Sequence, residues 1–66
     1  MYKLYDMRMA TNWSSPTVYE SSSLEEVEEF AEEYIRSEAE ELIKNGEFFS
    51  SELAETFIRE HVLILG

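Results

Sequence analysis

The feature that most constrains this 66-residue chain is its run of glutamate. Between positions 20 and 41 stand Glu20, Glu25, Glu26, Glu28, Glu29, Glu32, Glu33, Glu38, Glu40 and Glu41, with Arg36 the one basic residue among them. Carboxylates at that density cannot be packed inward, because an unpaired buried charge is far too costly. Whatever the segment forms must hold them in water while hiding its apolar residues. A helix does this: Leu24, Val27, Phe30, Ala31, Tyr34, Ile35, Leu42 and Ile43 fall on one broad stripe at helical spacing. Ser23 and Glu26 have the spacing of a capping box, the hydroxyl accepting an orphan N–H and the carboxylate reaching back. Asn45-Gly46 is a left-handed stop, and Lys44 complements the negative end of the dipole. The spacing predicts a helix over 24–44.

The charge balance, 15 Asp and Glu against 5 Lys and Arg for a net −10, narrows the classes further. A surface this acidic repels nucleic acid and anionic lipid, so direct nucleic-acid binding is not expected and a basic partner is. There is no cysteine, hence no disulfide and no thiolate zinc site. No apolar run approaches the ~20 residues of a membrane span, and Met1-Tyr2-Lys3-Leu4-Tyr5-Asp6 lacks the apolar core of a signal peptide. The expectation is a soluble protein of the cytoplasm. With 44% hydrophobic and 14% aromatic residues the chain reads as folded, not as an acidic tail. A chain this short buries only about 60% of its unfolded surface.

The remaining segments complete an α+β reading, one domain over residues 1–66. Along 2–11, Tyr5, Met7 and Met9 alternate with Asp6 and Arg8, the period-2 signature of a half-buried strand. Asn12-Trp13-Ser14-Ser15-Pro16 reads as a turn and Thr17-Val18-Tyr19-Glu20 as a second strand, so 2–20 forms a β-hairpin. Ser50 or Ser51 can cap a second, shorter helix whose Leu53, Ala54, Phe57 and Ile58 share a face. His61-Val62-Leu63-Ile64-Leu65 fits either a buried strand or the last turn of that helix. The strand is preferred, because a hairpin alone is too small a sheet. The long helix is expected to pack on the sheet through Val27, Phe30, Ala31, Tyr34 and Leu42. The apolar residues of 48–65 exceed what so small a fold covers, which predicts a homodimer.

Nothing here has the pattern of an active site. His61, the one histidine, adjoins an apolar run as structural histidines do. The serines lie at turns and caps, none in a Gly-x-Ser-x-Gly elbow. Two glycines do not make a phosphate loop. The carboxylates lie on a helix, not in an EF-hand loop, and Ile58 stands where a Glu-x-x-His metal motif would need its glutamate. Neither enzyme activity, a metal nor a cofactor is expected.

The acidic helix itself is the informative element. Glu32 with Arg36 and Glu40 with Lys44 are favourable i,i+4 pairs. Glu25 with Glu29, Glu28 with Glu32 and Glu29 with Glu33 are like-charged, each destabilising by a few tenths of a kcal/mol. Read blandly, this is a solvated face; read functionally, carboxylates one turn apart, ~5.4 Å along the axis, form a row on the scale of backbone phosphates. Such a row fits the basic groove of a DNA-processing protein. Specificity needs an apolar element beside it, for which Trp13, Phe48 and Phe49 are the candidates.

Val18-Tyr19-Glu20-Ser21, followed by Leu24 and then Glu25-Glu26-Val27-Glu28-Glu29, resembles the Ugi-type phage inhibitors of uracil-DNA glycosylase. In that family a strand carries a Glu-Ser pair, and a Glu-Glu-Val-Glu-Glu stretch follows. Here Ser22-Ser23 replaces the family's apolar run. The resemblance implies a protein that imitates DNA and blocks the enzyme's DNA-binding cleft, with Glu20 and Ser21 at the DNA-binding loop. The partner-binding residues it suggests, together with the charge row, are Glu20, Ser21, Glu25, Glu28, Glu29, Glu32 and Trp13. Anti-CRISPR and anti-restriction inhibitors belong to the same physical class. The other reading is a small acidic bacterial adaptor or structural protein that dimerises through its apolar helix faces.

Overall fold

The long helix runs where its caps place it. In the computed structural model, which describes residues 1–9 and 16–66, α1 spans Leu24–Lys44. The Ser23 hydroxyl accepts the Glu26 N–H at 3.3 Å. At the other end Gly46 adopts φ +78°. The N–H groups of Gly46 and Glu47 return to the carbonyls of Ile43 and Leu42, the paired bonds of a Schellman stop. Around α1 lie β1 (Tyr2–Asp6), a 3-10 turn (Met7–Met9), β2 (Thr17–Ser21), α2 (Ser51–Arg59) and β3 (Val62–Leu65). The architecture is α+β: a three-stranded antiparallel sheet in the order β2-β1-β3, a long helix and a short one. The 61–65 segment is a strand, pairing Leu4 with Ile64 and Asp6 with Val62.

Two apolar clusters hold these layers together. Leu4, Val27 and Ala31 are buried between the sheet and the first half of α1. Ile35 and Ala39 of α1 meet Ala54 and Ile58 of α2 in the second. Val27, Phe30 and Ala31 thus face the sheet as expected, whereas Leu42 packs on the α2 side. The two-helix contact starts near Ile35, so everything later on that stripe lies beyond the sheet.

The first strand departs from its expected extent. It stops at Asp6, and Met7 and Met9, expected on its apolar side, are exposed. The side that faces the core is the one carrying Leu4 and Asp6, both fully buried. Asp6 itself makes the turn: its Oδ1 accepts the Arg8 backbone N–H at 3.0 Å, a local bond that competes with a continuing ladder. The Arg8 guanidinium then folds back on the same carboxylate, Nη2 to Oδ2 at 2.6 Å, and reaches Glu38 of α1 at 2.9 Å. The Tyr34 hydroxyl donates to Asp6 Oδ2 from α1. Of the expected turn 12–16, residues 12–15, Trp13 included, lie outside the described residues.

Burial pushes the Asp6 carboxyl upward, but the bonds from Arg8 and Tyr34 and the Arg8 charge outweigh it, and the group titrates below its ordinary value. A carboxyl lowered on folding stabilises fully above its unfolded pKa of about 3.9, and that stabilisation is lost as pH falls through the folded value. Asp6→Asn, which leaves Arg8 with Glu38 as its one charged partner and removes the charge Tyr34 donates to, should cost about 2–4 kcal/mol. In thermal unfolding at pH 7 that is a fall of roughly ten degrees or more. A melting temperature unchanged within about two degrees would show that the pair holds nothing. Ser23→Ala should cost ~1 kcal/mol, read in the same melts.

Candidate functional site: the acidic face of α1

Helical spacing carries the site. Glu25, Glu28, Glu29 and Glu32 recur at intervals of three, one and three, so they share a flank of α1 over about 10 Å of axis. All four are exposed. With Leu24, itself 40% exposed, they bound a shallow concavity of about 420 Å³. Leu24 is therefore the apolar residue beside the row. Of the three expected in that role, Phe48 packs against Phe57 with centroids 5.3 Å apart and Phe49 stands fully exposed between the helices. Trp13 is outside the described residues.

Several glutamates of the run are engaged. Glu26 does not close the capping box; its carboxylate accepts the hydroxyls of Tyr19 and Ser21, and the Ser23 N–H goes to Ser21 Oγ instead. These bonds, that from Tyr19 foremost, hold the Glu26 carboxyl below the usual range. Glu32 turns away from Arg36 to a two-pronged bond with Arg59 of α2, at 3.0 and 2.8 Å, which lowers its pKa. Glu38 takes Arg8. Among the described residues, Glu25, Glu28, Glu29, Glu33, Glu40 and Glu41 have neither ion pair nor side-chain hydrogen bond, and the expected Glu40–Lys44 pair does not form. Arg36 and Lys44 lie within a turn of Glu33, Glu40 and Glu41, so the repulsion concentrates at Glu25, Glu28 and Glu29, which have no basic residue within a turn along α1.

Glu20 and Ser21 do not join this row. Glu20 pairs across the ladder with Lys3, on the face of the sheet away from α1, and their side chains are 3.9 Å apart. Ser21 lies opposite Tyr2, and its hydroxyl is committed to Glu26 and Ser23. Position in sequence makes them neighbours, and strand alternation sends them to opposite faces. Arg59, which neutralises Glu32, is 27 residues away, beyond any helical or strand spacing; Leu24 has the spacing of the core stripe, yet at the first turn of α1 it lies exposed.

His61 is built into the end of α2, its Nδ1 2.8 Å from the Phe57 carbonyl and its ring against that of Phe57. Among the described residues no three His, Asp or Glu side chains converge to hold a metal, and no helix is long and apolar enough to cross a membrane. No family model, curated protein or solved structure matches this chain.

Carbon-detected titration of the carboxylates should place Glu26 and Glu32 below the ordinary glutamate midpoint of about 4.3. Tyr19→Phe should raise the first and Arg59→Ala the second. A Glu32 midpoint indifferent to Arg59→Ala would show that the clamp is absent in solution.

Proposed function

We propose that this protein is a non-enzymatic inhibitor that imitates DNA and occupies the DNA-binding cleft of a basic DNA-processing enzyme in the cytoplasm of a host cell. The observation that carries the reading is the set of unpaired carboxylates on α1, beside an exposed leucine, in a chain of net charge −10. Their mutual repulsion weakens the free protein and is relieved when lysine and arginine approach. Association would be fast and salt-sensitive. Uracil-DNA glycosylase is the first target to test, on the resemblance of residues 18–29. The adaptor reading has less to stand on, since the apolar faces of α1 and α2 pack against each other.

The test is uracil excision by a purified bacterial glycosylase with this protein added. Stoichiometric inhibition that weakens as salt rises is expected, because a mimic fills the cleft and does not turn over. Changing Glu25, Glu28 and Glu29 together to Gln should weaken inhibition at least tenfold, mainly through slower association. Glu20→Ala should matter less, given its place on the other face of the sheet. Full enzyme activity at tenfold excess of this protein would remove the glycosylase as target, and the inhibitor class would then stand only on another blocked DNA-binding enzyme.

A further inference from the structure

The two edges of the sheet are protected very differently. On the β2 edge the ladder shifts register, with Val18 as an extra residue between the Leu4–Tyr19 and Tyr5–Thr17 pairs. Pro16 precedes that strand and Glu20 lies in it. Bulge, proline and charge are the devices that discourage strand addition. The β3 edge has none of them: Val62-Leu63-Ile64-Leu65 is regular, uncharged and free of proline. We infer that this edge is the interface of a homodimer, in which β3 pairs antiparallel with β3 of a second copy to form a continuous six-stranded sheet. The inference stands apart from the inhibitor reading and does not need it.

The ladder fixes the register. The Met7 N–H donates to the His61 carbonyl at 2.7 Å. Hydrogen-bonded and non-bonded pairs alternate along an antiparallel ladder, so Leu63 and Leu65 bond inward to β1. The N–H and C=O groups of Val62 and Ile64 consequently point out from the free edge. Pairing Val62 with Ile64 of the second copy, and the reverse, satisfies all of them around a two-fold axis at Leu63. The two Leu63 residues then meet as a close non-bonded pair, Cα atoms about 4.5 Å apart. Each leucine is 39% exposed in the single chain.

The self-complementary register is what selects a second copy at this place. Copies of net charge −10 repel wherever carboxylates face each other, and residues 61–66 contain none. A two-fold axis normal to the sheet puts both α1 helices on the same side of it, each over β1 and β2 of its own copy. Along the edge runs a groove of about 400 Å³ floored by Leu4, Ala31, Ile35 and Ile64. An added strand would roof it with apolar side chains. On its α1 bank Glu32 is neutralised by Arg59, leaving Glu28 as the one uncompensated carboxylate. Four residues of strand fall short of the ~800 Å² per partner of a standard interface, so the dimer should dissociate in the micromolar range and tighten with added salt.

Sedimentation equilibrium across 1–200 micromolar protein (roughly the range such a weak interface requires) should show a monomer–dimer equilibrium that salt shifts toward dimer. Leu63→Lys, which sets two cations at the axis from an exposed position, should raise the dissociation constant at least tenfold. Amide hydrogen exchange gives a reading independent of any variant: Val62 and Ile64 should become protected as concentration rises. A protein that stays monomeric throughout, a dimer undisturbed by a folded Leu63→Lys variant, or a dimer whose Val62 and Ile64 amides stay unprotected would each overturn the inference. Should Leu63→Lys fail to fold, the exchange of those two amides in the unaltered protein decides.

Discussion

The carboxylate of Asp6 is the point at which the layers are joined. It is fully buried, and a buried charge is tolerable only when paired and hydrogen-bonded. Its partners come from the turn that ends β1, through Arg8, and from the middle of α1, through Tyr34, while Arg8 extends the same network to Glu38. The turn and the helix thus satisfy one carboxylate between them. Among the described residues no buried side-chain nitrogen or oxygen lacks a partner. Such a group is a weak source of net stability and a strong penalty on any arrangement that fails to satisfy it. In a fold whose apolar core is two small clusters, that penalty specifies how the pieces fit.

Why α1 was legible in the sequence and Asp6 was not follows from distance. The ends of α1 depend on Ser23, Asn45 and Gly46 acting within a turn of themselves, and the structure starts and stops the helix at the expected residues. Alternation along 2–11 supplies a period without saying which side is inward. The choice is made by Tyr34, 28 residues on, and by Arg8 bending back. The charge row divides in the same way. Which glutamates share a flank follows from helical spacing, but which are neutralised depends on Arg8 and Arg59, brought in by the tertiary fold. The Glu20-Ser21 pair shows the converse: adjacency in sequence suggests one site, and the pleat divides it.

The distribution of charge follows from the same assembly. The helix carries its repulsion outward because its inner stripe is committed to the sheet and to α2. The acid-free strand β3 falls at the opposite margin of the sheet from Glu20. Salt should therefore act in opposite senses at the two surfaces. Screening would weaken attraction between α1 and the proposed basic partner, and would ease the approach of two like-charged copies in the proposed β3 dimer.

The order β2-β1-β3 also has a consequence for how the chain is made. β1 is the central strand, yet the segment that completes its second side, β3, follows about sixty residues later. Contacts of such long sequence separation are slow to form, because loop closure precedes any reward. On the ribosome, β1 must wait with one edge unpaired until the residues through β3 have emerged. During that interval the nascent chain displays Tyr2, Leu4 and Tyr5 to its surroundings. The acidic stretch synthesised in between carries like charge, which favours an expanded, soluble unfolded chain. The glutamate run would thus act as the chain's own solubilising agent before it is ever a helix.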